Sequence, residues 1–267
     1  GSAGGYLVPD AFANKIYEHR KWIGSKRQVA GAMTTTSGAD LIYPNVDDTG
    51  NVGAILTENS AISEQDVTFG ARTFKAWMYT SKLVQVSWQL MQDSFFDLDT
   101  FLARVLGERL GRIENTHMTT GVGATQPEGI LTNVSTVAPN TDNTLVLADV
   151  VKLIYNVDRA YRDAGVLLMH DLIRLHLRKE ASTDGSFIWQ PSAQMGEPDR
   201  LFGYPVFANN DMDSTVADGK KVVLFGDVRN GYMIRDVKGI SLVRLNERYA
   251  DALQTGFFAY ARLDGQP

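Results

Sequence analysis

The sequence predicts an α+β fold, and three observations carry that expectation. A long amphipathic helical pattern fills residues 87–118, short helical and extended runs alternate through the next hundred residues, and alternating extended segments lie toward both ends. The chain has 267 residues, which at roughly 150 residues per domain bounds it to one large domain or two small ones. With 44% hydrophobic and 21% charged residues it has the composition of a chain that buries a core rather than that of a disordered one.

The first residues, Gly1-Ser2-Ala3-Gly4-Gly5, show neither the charged nor the apolar region of a secretory signal and lack an initiator Met. They read as a trimmed start, left by a cleaved tag or by a biological protease. Residues 9–27 are basic, with Lys15, Arg20, Lys21, Lys26 and Arg27 against Asp10 and Glu18. This segment is expected to be an arm with one short helix, lying on nucleic acid or on an acidic neighbouring chain.

Leu41-Ile42-Tyr43-Pro44 predicts a short strand ended by proline. Residues 45–70 are acidic and turn-rich, and extended character resumes over residues 69–77. Two strands joined by a long tip, a projecting hairpin, fit this pattern. Such a hairpin has too little core to stand alone and wants a neighbouring surface, including one on another chain.

Trp88, Met91, Phe95, Leu98, Leu102 and Val105 step by three and four, and Leu106, Leu110 and Ile113 continue the stripe. Asp93-Ser94 and Asp97 offer capping residues, so a short helix, a break and a long helix over about 98–117 are expected, the last spanning roughly 30 Å. Arg104, Glu108, Arg109, Arg112 and Glu114 form its polar face. The glycine-rich stretch from Gly121 to Leu131 then predicts a loop leading into a strand. A second helical face follows in Leu147, Val150, Val151, Ile154, Val157 and Tyr161, then a strand at 166–169, a helix over 171–179, a polar loop at 181–199 and strands near 204–208 and 222–225. The closing segments, 240–245 and 255–263, are extended and are expected to pair back with the first part of the chain.

Chemistry is sparse. The chain has no cysteine, which removes disulfides, thiol nucleophiles and thiolate metal sites. His19, His117, His170 and His176 have no ligand-like spacing. Gly219-Lys220-Lys221 lacks the rest of a phosphate loop, Gly121-Val122-Gly123 follows a helix rather than a strand, and no Gly-x-Ser-x-Gly elbow occurs. Asp47-Asp48, Asp211 and Asp213 could be imagined as acid and base or as calcium ligands, but turn contexts make them solvated turn residues. Asn133-Val134-Ser135 is a chance match to a glycosylation acceptor. No catalytic, cofactor-binding or metal residue is assigned. No apolar run is long enough to span a bilayer, and a formal charge of −5 argues against a phosphate-gripping clamp.

The order of these elements resembles one family, the major capsid proteins of tailed bacteriophages of the Hong Kong 97 type. Gly4-Gly5-Tyr6-Leu7-Val8-Pro9 resembles the start of mature, protease-trimmed shell proteins; Glu58, Glu64, Asp66, Thr68 and Phe69 resemble the extended loop and its return strand. Val86-Ser87-Trp88-Gln89-Leu90-Met91-Gln92-Asp93-Ser94, with Asp97 and Phe101-Leu102, is similar to the entry into the family's spine helix. Arg112-Ile113-Glu114-Asn115 with Gly121, Gly123, Gln126-Pro127 and Gly129-Ile130-Leu131 resembles the turn after it, and Leu201-Phe202-Gly203-Tyr204-Pro205-Val206 and Gly226-Asp227 resemble later family strands.

The resemblance implies an N-terminal arm (1–28), a peripheral-domain strand (29–45), an extended β-hairpin loop (46–78), a peripheral domain with the spine helix (79–139), a mixed α/β axial domain (140–239) and peripheral return strands (240–267). It implies a non-enzymatic, cofactor-free shell protein that forms hexamers and pentamers around double-stranded DNA, with a portal and decoration proteins as further partners, in a virion assembled in the host bacterial cytoplasm. An acidic mean charge suits a container that must release its DNA. One branch of the family crosslinks a loop lysine to a distant asparagine; the aligned residues here are Ile62 and Asp251, which cannot form that bond. An encapsulin-like compartment shell is the alternative of the same fold, and a soluble α/β enzyme the remote one.

Overall fold

The computed structural model describes residues 25–46, 51–62, 64–93, 98–181, 188–189 and 199–267. The arm before residue 25, Asp47-Asp48, the break at 94–97 and most of the polar loop at 181–199 lie outside the described residues.

Two sheets and one helix organise the molecule. The larger sheet joins β1 (Gly31–Thr35), β4 (Trp77–Thr80), β5 (Val84–Ser87), β10 (Met233–Leu245) and β11 (Gln254–Gln266). Its two long strands come from the end of the chain. β10 pairs antiparallel with β11, from Met233 opposite Gln266 to Leu245 opposite Gly256. β1 adds parallel to β10, and β4 and β5 both pair antiparallel with β11. The terminal strands thus pair back with the first third of the chain, as expected, and are longer than the hydrophobic alternation alone marked. A register shift between Val237 and Ile240 carries Lys238 and Gly239 at positive φ, a bulge that lets β10 continue past a bend.

The spine is α3 (Leu98–Thr120), preceded by α2 (Trp88–Asp93). Leu102, Leu106, Leu110 and Met118 are buried and pack with Tyr79, Ile234, Phe257, Ala259, Ala261 and Leu263 of the large sheet. Trp88, on α2, and Ile113, members of the predicted stripe, are exposed. Glu114 departs from the predicted solvated face and is buried. Glu108 and Arg112 do form the expected i,i+4 pair on the surface, at 3.1 Å.

No strand forms at 129–131. Instead the loop turns back onto the end of α3: the N–H groups of Ile130 and Leu131 donate to the carbonyls of Met118 and Thr119. These are among the last carbonyls of the helix, which have no partner inside it. A side chain at Gly121 would collide with the His117 and Pro127 carbonyls, so the close return of the chain requires glycine there.

The smaller sheet has the order β7 (Arg200–Leu201), β8 (Tyr204–Ala208), β6 (Val166–Met169) and β9 (Val223–Gly226), with β6 parallel to β8 and antiparallel to β9. Helices α4 (Leu147–Asn156) and α6 (Asp171–Arg178) cover it, and Leu147, Val150, Ile154, Ile173 and Leu177 join Leu167, Met169 and Phe225 in a second core. The helix ends at Asn156 and restarts as α5 (Arg159–Arg162), with Asp158 accepting the Ala160 N–H as its cap. Tyr161 is therefore exposed rather than on the buried face. β6 serves both cores: Leu167 and Met169 face the second, and Leu168, on the opposite face of the strand, packs into the first. Among the described residues no helix is long and apolar enough to cross a membrane.

Candidate assembly surface

The expected hairpin is present. β2 (Leu41–Val46) and β3 (Phe69–Phe74) pair antiparallel in a two-stranded sheet, from Leu41 opposite Phe74 to Val46 opposite Phe69. Pro44 does not end β2; it pairs opposite Ala71. An edge strand tolerates it, because the missing N–H removes no bond from a central ladder. Beyond the strands, Gln65 reaches Asn51 at 2.5 Å, and Thr57 to Ser60 form a turn with Asn59 in the left-handed region.

This hairpin carries apolar side chains that none of the described residues buries. Ile55 is 98% exposed, Ile62 79% and Phe69 74%, and Val52, Leu56 and Ile42 are also exposed. Scattered exposed apolar residues are ordinary, whereas a group of them concentrated on one element points to an interaction surface.

Its root is rigid. Arg235 of β10 is 2% exposed and spends all five of its donors. Nε donates to Thr35 Oγ1 at 3.0 Å; Nη1 to the Phe74 and Lys75 carbonyls at 2.8 and 3.2 Å; Nη2 to the Ser37 and Ala39 carbonyls at 2.9 and 2.8 Å. Thr35, Ser37 and Ala39 precede β2, whereas Phe74 ends β3 and Lys75 follows it, so one guanidinium ties both ends of the hairpin to the large sheet. Asp264 supports the same root by accepting the Lys75 N–H at 2.6 Å. Burial raises the Asp264 pKa, and hydrogen bonds from the Lys75 and Gly265 backbone partly offset that rise.

A second junction anchors the root of the arm. The short helix α1 (Ser25–Val29) places Lys26 and Arg27 inside the molecule. Arg27 donates to Glu114 of α3 at 3.1 Å and, through both terminal nitrogens, to Asp236 of β10 at 2.7 and 2.8 Å. Burial opposes its charge, but Glu114 and Asp236 more than offset that and hold its pKa up. Asn115 takes the Ser25 hydroxyl and the Lys26 N–H on its Oδ1, each at 3.4 Å, and its amide donates to Asn209 at 2.7 Å and to Asp211. Thr116 also donates to Asp211 at 2.9 Å, so this carboxylate is a strut between α3 and the segment after β8 rather than a solvated turn residue. The last two cations of the basic arm are thus intramolecular, an outcome that charge counting along the chain does not signal.

The other flagged residues do not converge. His117 Nδ1 meets the Tyr79 hydroxyl at 2.8 Å, and burial lowers its pKa. His170 caps α6 by accepting the Leu172 N–H, and His176 Nε2 lies 3.0 Å from the Leu145 carbonyl. Asp213 pairs with Lys220 at 3.0 Å; burial pushes its pKa up, but Lys220 and the Lys221 backbone N–H together outweigh that and lower it. Asn133 donates to Glu128. Ile62 and Asp251 are both exposed. Among the described residues no group of three or more His, Asp or Glu side chains is placed to hold a metal. An open hollow of about 270 Å³ lies between α2 and the ends of β10 and β11, lined by Trp88, Met91, Gln92, Arg244, Asn246 and Thr255.

Comparison with known proteins decides what this architecture is. The pattern of the phage capsid family matches residues 4–267, nearly the whole chain. The chain belongs to the phage capsid family. Curated protein sequences yield no match. Among solved structures, the capsid of the native GTA particle is similar at 25% identity, covering 91% of this chain and 86% of that one with a TM-score of 0.75. The Microbacterium phage Oxtober96 structure is 15% identical over 91% of this chain and 84% of that one, at a TM-score of 0.67. The holo-SrpI encapsulin complex from Synechococcus elongatus PCC 7942 shares the fold at 13% identity, 90% and 81% coverage and a TM-score of 0.62. This phage capsid family member has the Hong Kong 97 type fold and is a structural, non-enzymatic shell protein.

Proposed function

We propose that the chain tiles a closed icosahedral shell as hexamers and pentamers around the double-stranded DNA of a tailed phage. The observation that carries this reading is the hairpin with its apolar side chains bare and its root fixed. The hairpin presents Ile55, Ile62 and Phe69 uncovered by the described residues, so that a neighbouring copy can bury them, and many such weak contacts compound around a closed symmetric ring. In this reading residues 1–28 are the arm and 46–78 the loop that crosses between subunits. Residues 29–45, 79–139 and 240–267 are the peripheral domain and 140–239 the axial domain. A portal at one vertex, decoration proteins on the outer face and assembly in the host cytoplasm belong to the same reading.

Electron microscopy of the purified protein, with its mass in solution, tests it. Closed particles or isolated six-fold and five-fold rings are expected, with nuclease-protected duplex DNA inside virions. A strictly monomeric or dimeric protein under assembly conditions would overturn the proposal. Protein cargo in place of DNA would instead place the chain with compartment shells such as the encapsulin whose fold it shares.

A further inference from the structure

Lys26 is an anomaly at the root of the arm. Its side chain is 0% exposed, and its Nζ is buried with no hydrogen-bond partner among the described residues. A buried ammonium requires a paired carboxylate or several acceptors, and each surrounding acid has another partner: Glu114 of α3 through Oε2 and Asp236 of β10 through both oxygens with Arg27 of α1 itself, and Asp211, which faces Lys26 from the segment after β8, with Asn115 and Thr116. The attachments of α1 beside Lys26 are weak by comparison: two 3.4 Å contacts to Asn115.

We propose that Lys26 is a proton-operated latch: α1 docks on α3 with the amine neutral, and protonation of that amine favours an undocked arm root. Burial lowers its pKa to about 7, with Asp211 pulling the other way. An undocked, hydrated lysine titrates near its ordinary value of 10.5. Between these two values the docked state is deprotonated and the undocked state is not, so each rise of one pH unit favours docking about tenfold. Below about 7 both states carry the proton, and the dependence levels off.

The absence of cysteine makes the test direct. A nitroxide on Gln28→Cys, an exposed position of α1, reports docked and undocked populations as immobile and mobile spectral components in the full chain. Unassembled subunits are used, so the result stands independently of the shell reading. Between pH 7.5 and 9.5 the mobile-to-immobile ratio is expected to fall by more than tenfold, and below about pH 7 to change little. In the Lys26→Met background the ratio should be small and independent of pH. Asp211→Asn, which removes the carboxylate that favours the ammonium, should move the levelling point to lower pH. A pH-independent ratio in the parent chain, the same slope in Lys26→Met, or no mobile component at pH 6 would overturn the latch.

Discussion

Two buried cations sit at the two roots of this molecule, and they are opposites. Arg235 at the hairpin root has every donor matched to an acceptor, whereas Lys26 at the arm root has none among the described residues. A guanidinium presents its donors in a fixed planar fork, so it can staple several carbonyls at once; an ammonium without acceptors only bears the cost of leaving water. The hairpin root is therefore built to hold one geometry. The arm root is held largely by its neighbour Arg27, with Lys26 working against it. In the shell reading a loop that meets a neighbour at a defined angle, and in the latch proposal an arm root that is released, place different demands on their anchors, and the two side chains embody them.

The largest expected effect breaks the first anchor. Arg235→Met strips the donors from the carbonyls of buried Phe74 and of Lys75, Ser37 and Ala39 and from the Thr35 hydroxyl, and should lower unfolding stability by about 3–5 kcal/mol. Thermal denaturation would register this as a fall of about 10 °C. Arg235→Lys should recover only part of the loss, since one ammonium cannot span both ends of the hairpin. Arg27→Met comes next, because it leaves Glu114 and Asp236 buried without their cation; about 3 kcal/mol of destabilisation in urea titrations is expected. A loss below about 1 kcal/mol in either variant would mean that water or a neighbouring side chain replaces the guanidinium.

Lys26→Met should move stability the other way, and this sharpens the contrast. The folded-state pKa is below the unfolded one, so the unfolded chain holds a proton that the native chain gives up between about pH 7 and 10.5. The resulting penalty is complete below about 7 and fades as pH rises toward 10.5. At pH 7 the methionine variant is expected to be up to about 4 kcal/mol more stable than the parent, with the gap falling below about 1 kcal/mol by pH 10. Chemical denaturation at the two pH values checks both the sign and the trend. Destabilisation at pH 7 would show that the amine has found a partner.

Periodicity reveals the scaffold and is silent about both anchors. The helix of α3, the strand β6, the helix of α6 and the inward set Phe257, Ala259, Ala261 and Leu263 all follow from apolar spacing, because burial of one face imposes that spacing. The glycine-rich turn misleads for the same reason: Ile130 and Leu131 are buried as a strand would bury them, but their N–H groups go to helix carbonyls, a choice made by tertiary proximity. Glu114, Arg27, Asp211 and Arg235 read as ordinary surface charges in one dimension. Their partners lie about ninety to two hundred residues away, and no local pattern encodes such pairings. The hairpin lies between these cases, since its turn-rich acidic tip and missing core are visible in the sequence and its rigid root is not.

The smallest effect on the subunit should be the largest on assembly. Ile55 is 98% exposed, so Ile55→Ser removes no packing within the chain and should change subunit stability by less than about 0.5 kcal/mol. In the shell reading the same side chain is covered by a neighbour, and burying an isoleucine is worth about 2 kcal/mol. That sum recurs at every copy around a hexamer, so a loss negligible in the monomer multiplies across the ring. Sedimentation of the variant should show normal subunits and few or no closed particles. Arg235→Lys should likewise impair closure, but with a measurable loss of subunit stability. Normal shells from Ile55→Ser would mean that the hairpin tip stays bare after assembly and that Phe69 and Ile42, nearer the root, supply the contact instead.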